Sequence, residues 1–169
     1  IPIVMMIGTY EERKGHKFLF QSMRYVYENN KKIQLVIIGS GTEKEKKNIL
    51  TLINSIIPDV CVHLLGEYKN AGSLIKGSNV LVIPSQEEES FGLPAVEAML
   101  SRVPVITTNI GGLPETVGLN SDCGYVVDSN DPIQLSNKIL YLIDNPEIFT
   151  YLKSYFEIEE NFTHNYILH

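Results

Sequence analysis

Six short apolar runs, rich in β-branched residues, are spaced along the chain. Each run is nearly continuous, without strict alternation of apolar and polar positions. This pattern is typical of strands buried on both faces of a parallel sheet. It predicts six strands, within residues 1–8, 33–39, 60–66, 79–85, 103–108 and 124–127.

Segments with helical spacing lie between these runs. Residues 16–29 and 43–56 each repeat apolar side chains along one helical face. Residues 131–144 do the same, and they open with Asp131 as a helix N-cap and Pro132 at the first helical position. The alternation of strands and helices predicts an α/β domain, with an open parallel sheet and helices on both faces.

Composition narrows the class of protein. The 169 residues suit a single domain over 1–169, to which residues 145–162 would add a helical extension. A net charge of −6 argues against broad affinity for nucleic acids or membrane surfaces. No apolar run is long enough to cross a bilayer, and Cys61 and Cys123 are expected to be reduced thiols, which favours a cytoplasmic location. Because the chain starts at Ile1 without a methionine, we expect it to be part of a longer protein.

Glycines follow five of the predicted strands. In open α/β sheets, ligands bind beyond the carboxyl ends of the strands, and glycine allows backbone to approach a ligand closely. Ordinary turn formation is the alternative explanation for any one of them, but five such loops on one edge favour a binding site. The glycines concerned are Gly8, Gly39, Gly41, Gly66, Gly92, Gly111 and Gly112.

Two of these loops carry weak signals for a phosphate ligand. Residues 39–44 lack the third glycine of a dinucleotide fingerprint and the Lys-Ser/Thr pair of a P-loop. After the first strand, Arg13, Lys14 and His16 form either a solvated helix start or a cationic contact to an anionic phosphate. Both readings stay open at this point.

Residues 84–99 carry the strongest candidate chemistry. Gly92 and Pro94 predict a helix start, whose free backbone N–H groups could bind an anion. Glu89 precedes that helix and Glu97 lies one turn inside it, where both could accept hydrogen bonds from ligand hydroxyls. Acids that only complement the helix dipole are an equally good explanation. We also expect Leu100 to pack inward.

The loop after the fifth strand repeats this arrangement, with Gly111 and Gly112 followed by Pro114 and Glu115. A tight turn is the alternative reading. No serine elbow and no metal-ligand spacing is found, so we expect no metal or other cofactor. The four histidines are expected to be structural or exposed.

Seven segments, taken in order, resemble one known family. "ESFGLPAVEAM" resembles the Glu-x7-Glu segment of retaining GT-B glycosyltransferases, the "glycosyl transferases group 1" family. The similarity continues through "KGH", "LVIIGSG", "VHLLGEY", "VLVIPS", "VPVITTNIGGLPETV" and "GYVVDSNDP". It implies one half of a GT-B fold, namely the C-terminal domain that binds the donor, with the N-terminal acceptor domain absent from this chain.

The resemblance also implies roles for individual residues. Glu89 would hold hydroxyls of the donor sugar, Glu97 the ribose hydroxyls, and Lys14 the diphosphate. Glu89 and Lys14 are therefore the catalytic candidates. The donor would be a UDP-, GDP- or ADP-sugar, and the acceptor a glycan or lipid-linked glycan, with membrane contact left to the absent domain. The full set of candidate donor-binding residues is Gly8, Thr9, Arg13, Lys14, Gly39, Gly41, Glu67, Tyr68, Glu89, Ser90, Phe91, Gly92, Leu93 and Glu97.

Thr9 departs from the family pattern. The family usually has an arginine directly after the first-strand glycine, where it helps the lysine to neutralise the diphosphate. Arg13 is a candidate substitute. The departure keeps open an alternative function, a non-catalytic glycosyltransferase-like module with an assembly or regulatory role. On either reading, we expect this chain alone to transfer no sugar.

Overall fold

The computed structural model describes residues 1–29, 32–118 and 124–148. Cys123 and most of the helical extension predicted at 145–162 lie outside these residues. All six predicted strands are confirmed, and they form one parallel sheet in the order β3-β2-β1-β4-β5-β6. The strands are β1 (Ile3–Ile7), β2 (Gln34–Ile38), β3 (Cys61–Leu64), β4 (Val80–Ile83), β5 (Val105–Thr108) and β6 (Gly124–Val127).

The three long predicted helices are also confirmed. In α2, Thr42 and Glu45 form a reciprocal capping box. In α6, the Asp131 side chain accepts a hydrogen bond from the Gln134 backbone N–H, as expected for an N-cap. The helices are α1 (His16–Glu28), α2 (Glu43–Ile56), α3 (Ala71–Ile75), α4 (Leu93–Leu100), α5 (Leu113–Val117) and α6 (Pro132–Asp144).

Alternate residues of each central strand point to opposite faces of the sheet. Val4 and Met6 pack in a core beneath α1, α2 and α6. Met5, between them, packs in a second core beneath α3, α4 and α5. Both faces of the sheet are therefore covered by helices, which explains why the strands are continuous apolar runs. The fold is Rossmann-like, as the alternation of strands and helices predicts.

The strand order fixes where a ligand can bind. The chain leaves β1 towards β2 and β3 on one side, and then returns to place β4 on the other side of β1. Loops that follow β1 and β4 therefore diverge and leave a crevice between them at the carboxyl edge of the sheet. In folds of this type, that crevice is the usual ligand site.

His16, at the start of α1, is a buried part of the core on this edge. Its ring lies edge-on to Tyr10 and Phe20, and neither ring nitrogen has a hydrogen-bond partner among the described residues. Burial lowers the pKa of His16 from its usual 6.5 to about 4. His63, by contrast, lies exposed on β3. The other two histidines lie outside the described residues.

Replacement of His16 by phenylalanine should reduce the dependence of the free energy of unfolding on pH below about pH 6.5. The folded protein favours the neutral ring. In the wild type, the contribution of His16 to the free energy of unfolding is therefore fully present above about pH 6.5, and it is lost as the pH decreases towards 4. The full effect is on the order of 3 kcal/mol. Urea unfolding at pH 7, 5.5 and 4.5 measures it. The matched control, His63→Phe, should keep the wild-type slope. An unchanged slope in His16→Phe would contradict this assignment.

Candidate functional site

A cavity of about 280 Å³ occupies the crevice between the carboxyl ends of β1 and β4. Its walls come from two chain segments, one that follows β1 and one that follows β4. Six of the sequence-predicted site residues lie together in its lining, which consists of Met6, Ile7, Gly8, Thr9, Glu11, Arg13, Lys14, Ile83, Pro84, Ser85, Glu89, Gly92 and Pro94.

Close backbone contact at Gly15 joins these two segments. Gly15 follows a short 3-10 turn, Glu12–Lys14, and has a φ of 80°. A Cβ atom at this position would overlap with the carbonyl group of Pro84. Next to it, the Gln86 backbone N–H donates to the Arg13 carbonyl at 2.8 Å. Glycine is required here because the left-handed backbone and the close approach both exclude a side chain.

The joined segments bring Lys14 and Glu89 together. Lys14 Nζ lies 2.7 Å from Glu89 Oε2, and the two side chains are only 19% and 16% exposed. The Ser85 hydroxyl donates to the same oxygen at 3.0 Å. A carboxylate can accept about four hydrogen bonds, so Glu89 has capacity left for ligand hydroxyls. Lys14 likewise has three N–H donors, of which this pair uses one.

A second charged pair lines the same cavity. Arg13 Nε lies 2.6 Å from Glu11 Oε2, and the Thr9 hydroxyl donates to the other Glu11 oxygen at 2.7 Å. Hydrogen bonds from Arg13, and then from Thr9, lower the pKa of Glu11. Arg13 also points an N–H of its terminal nitrogen towards the Glu88 carbonyl oxygen at 3.4 Å. Thr9, Glu11 and Arg13 therefore form one connected network at the mouth of the cavity.

The start of α4 forms another part of the site. Gly92 is the N-cap residue with a φ of 66°, and Pro94 follows at the second helical position. Within the described part of the chain, the backbone N–H groups of Phe91, Gly92 and Leu93 donate to no backbone carbonyl, as predicted. These groups are available to an anion.

The packing of α4 differs in one respect from the expectation. Leu100, predicted to pack inward, is 75% exposed. The fully buried residues of this helix are Ala95 and Ala98, which allow it to lie close to the sheet. Phe91 and Leu93 are also largely exposed, beside the cavity.

The repeated glycine-proline segment supports the Glu89 loop from outside. Gly112 donates its backbone N–H to the Glu89 carbonyl at 2.9 Å, and the Thr116 hydroxyl donates to the Phe91 carbonyl at 2.8 Å. A Cβ atom on Gly111 would overlap with the Glu89 carbonyl oxygen. The two similar helix starts therefore have different surroundings: α4 borders the cavity, and the segment 111–116 packs against the backbone of 89–91.

Four of the other predicted residues lie along the exits of β2 and β3. The Gly39 backbone N–H donates to the Gly66 carbonyl at 2.8 Å, and Gly41 packs against Tyr10 and Glu45. Glu67 and Tyr68 follow Gly66 and are exposed. None of the four lines the cavity between β1 and β4.

Glu97 also lies outside the cavity. It is exposed on α4, and its carboxylate faces Gly72 in α3, so that a Cβ atom on Gly72 would be 3.3 Å from Glu97 Oε2. Ser90, in the loop before α4, is exposed as well. The structure thus separates the two glutamates of the Glu-x7-Glu segment. Glu89 lies inside the crevice and Glu97 on the β2–β3 side of α4.

Sequence reasoning missed two residues of the site, Ser85 and Glu11. Ser85 could have been found, because a polar residue directly follows a buried strand there. Glu11 carries no such signal, since Glu12 beside it has the same chemistry and lies outside this cavity.

Two features are absent from the described residues, a metal-binding cluster and a membrane-spanning helix. They contain no group of three or more His, Cys, Asp or Glu side chains arranged to hold a metal ion. Among them, no helix combines the length and the apolar character needed to cross a membrane.

Comparisons with known proteins agree with this architecture. An uncharacterized glycosyltransferase of Methanocaldococcus jannaschii is 32% identical over 146 residues, which is 85% of this chain and 39% of the relative. The capsular polysaccharide biosynthesis glycosyltransferase CapM of Staphylococcus aureus is 30% identical over 147 residues, 86% of this chain and 38% of the relative. This chain therefore spans well under half the length of either protein.

Solved structures show the same fold. HepE of Anabaena, crystallised in complex with UDP-glucose, matches with a TM-score of 0.80 at 21% identity, over 89% of this chain and 41% of that one. The model of the family described as "Glycosyl transferases group 1" matches residues 2–159. The chain belongs to this glycosyltransferase family, and its fold is the Rossmann-like fold of GT-B enzymes.

Proposed function

We propose that this chain is the donor-binding domain of a retaining glycosyltransferase. It would hold a nucleoside-diphosphate sugar, while an N-terminal domain outside the chain supplies the acceptor site. The observation that carries the proposal is the Lys14–Glu89 pair in the crevice between β1 and β4. The pair puts a phosphate-binding cation and a hydroxyl-binding carboxylate at one point, as a sugar linked to a diphosphate requires.

Each wall of the crevice fits one part of such a donor. Gly92, at the start of α4, lines the same cavity as Lys14, and the free N–H groups at this helix start and the Lys14 ammonium would bind the diphosphate. Glu89 would accept hydrogen bonds from the sugar hydroxyls. The exposed residues beyond Gly66, and Glu97 next to α3, lie on the β2–β3 side, where the nucleoside would extend. HepE, which shares this fold, binds UDP-glucose, and this supports the assignment.

Chemistry at this site would depend on positioning and on leaving-group stabilisation. When the bond between the sugar and the diphosphate breaks, the electron pair remains on the diphosphate. Lys14 would stabilise that charge, and the N–H groups of α4 would add to it. Glu89 would keep the sugar in place for attack by the acceptor hydroxyl, whose proton would pass to the departing diphosphate. The name of CapM, a glycosyltransferase of capsular polysaccharide biosynthesis, supports a glycan acceptor.

Titration calorimetry with UDP-, GDP- and ADP-sugars, and with the bare nucleotides, tests the donor site. Glu97→Ala should weaken sugar-nucleotide and bare nucleotide equally, by about 10-fold, because it would remove ribose contacts common to both. Glu89→Ala should mainly abolish the preference for the sugar-nucleotide. Serine replacement of Glu87, an exposed neighbour, is the control and should change neither affinity. No binding of any donor by folded protein would overturn the proposal.

Thr9 favours a second candidate function, a non-catalytic module, because it removes one expected cation from the diphosphate site. The two functions differ in the full-length parent protein. A catalytic parent should release nucleoside diphosphate from its donor when an acceptor is added. A parent that binds the donor and releases none would be the non-catalytic module.

A further inference from the structure

We propose that Glu11 is a positioning residue that holds the Arg13 guanidinium at the mouth of the cavity, so that Arg13 and Lys14 together bind the diphosphate. The proposal rests on the donor-binding function above. Arg13 and Lys14 are the cations that line the cavity among the described residues. Their neighbours Glu11 and Glu89 bring the formal charge of these four side chains to zero.

The geometry of the Glu11 contacts distinguishes positioning from simple neutralisation. Glu11 accepts a hydrogen bond from Arg13 through Nε alone, at 2.6 Å. The Arg13 guanidinium has five N–H donors, and Nε supplies one of them. Of the four donors on the two terminal nitrogens, one is parallel to Nε–H and the other three point away from that edge, with one nitrogen turned towards the Glu88 carbonyl. Contact through Nε fixes the plane of the guanidinium and leaves its outer edge for a phosphate.

Both ends of this network are themselves held. The Thr9 hydroxyl donates to the Glu11 oxygen that Arg13 does not use, which fixes the carboxylate plane. The Arg13 backbone is tied to the β4 segment through the Gln86 N–H. Arg13 and Glu11 are 37% and 41% exposed, so without these contacts their side chains would sample many rotamers in solvent. Thr9 therefore acts on the diphosphate site indirectly, through Glu11.

Removal of the Glu11 side chain should change the affinity for a diphosphate in opposite directions, according to whether Glu11 only repels the ligand or positions Arg13. If Glu11 acts only as a negative charge near a diphosphate, its removal strengthens diphosphate binding. If Glu11 positions Arg13, Glu11→Ala weakens that binding, because the ligand must then order the guanidinium itself. The expected loss in affinity for the nucleoside diphosphate is about 2- to 10-fold. Arg13→Ala should lose on the order of 10- to 100-fold.

Two further variants separate geometry from charge. Glu11→Gln removes the charge and keeps an acceptor for Arg13 Nε, so it should bind at least as tightly as the wild type. Glu12→Ala removes the same charge from the adjacent, exposed residue outside the cavity, and should not weaken binding. Calorimetry should use UDP, GDP or ADP, whichever the wild type binds, together with the corresponding nucleoside. Affinity for the nucleoside should be unchanged in all four variants.

Nuclear magnetic resonance reports on Arg13 directly. The sequence has three arginines, Arg13, Arg24 and Arg102, so the Nε–H region of a nitrogen-15 spectrum is readily assigned with Arg→Lys variants. The Arg13 signal should be sharp in the wild type and in Glu11→Gln, and broadened or lost in Glu11→Ala. The Arg24 signal, from a separate exposed pair with Glu28, should not change.

The outcomes are distinct. If the folded wild type binds no nucleoside diphosphate, the donor-binding function fails, and this inference fails with it. If the wild type binds but Glu11→Ala binds as tightly or more tightly, only the positioning role is overturned. The positioning role is supported if Glu11→Ala binds the diphosphate more weakly and loses the Arg13 signal, while Glu11→Gln keeps the wild-type affinity.

Discussion

Lys14→Met should weaken the binding of a nucleoside diphosphate by on the order of 10- to 100-fold. The substitution keeps the aliphatic stem and removes the ammonium group, whose hydrogen bonds to a charged phosphate each contribute about 1.5–3 kcal/mol. It also leaves Glu89 without its partner at 2.7 Å, in a position where its negative charge faces the diphosphate. Both consequences act against the ligand, and for this reason we expect the effect to be among the largest at this site. Titration calorimetry at low and physiological salt measures it.

Lys17→Met is the matched control for this prediction. Lys17 is the second residue of α1, is exposed and does not line the cavity, yet its substitution changes the net charge by the same amount. We expect its effect on affinity to be small and to vanish at physiological salt, because an exposed charge at this distance is screened. Similar losses for the two lysines would mean that Lys14 acts through the general field of the domain, and the direct phosphate contact would be wrong.

The fold was predictable because burial and local geometry both act on short segments. The central strands are covered on both faces, so each appears as a continuous apolar run that its composition alone can detect, whereas the edge strand β3 exposes Cys61 and His63. The N-cap Asp131 with Pro132 marks the start of α6 for equally local reasons. Leu100 was misassigned because α4 approaches the sheet through two alanines, and side-chain size alone did not indicate which face would be buried.

The candidate site was predictable only in part. Lys14 and Glu89 could each be selected from the sequence, but they are 75 positions apart, and their contact depends on the strand order. The network of Thr9, Glu11 and Arg13 depends on side-chain conformations that residue spacing does not determine. Thr9 appeared in the sequence as the loss of a cation. In the structure it is connected to one through Glu11.

Gly15→Ala should destabilise the domain by about 3 kcal/mol or more, the range in which backbone clashes in cores fall. The added methyl group meets two separate penalties. A φ of 80° is unfavourable for alanine by about 1–2 kcal/mol, and the Cβ atom would also overlap with the Pro84 carbonyl. Relief of that overlap requires the β1 and β4 segments to move apart. Because those segments carry Lys14 and Glu89, donor binding should also weaken in the fraction that remains folded.

Gly66→Ala separates the two penalties. Gly66 has a similar φ of 71°, but a Cβ atom there would meet no other atom within 4 Å. Its substitution should therefore cost only the backbone term of about 1–2 kcal/mol and should leave the Lys14–Glu89 contact in place. Urea unfolding of both variants, with the wild type, gives the difference between them, which measures the clash at Pro84. Equal losses of stability would show that the two segments can separate without cost, and the Gly15 contact would then have no part in assembling the donor site.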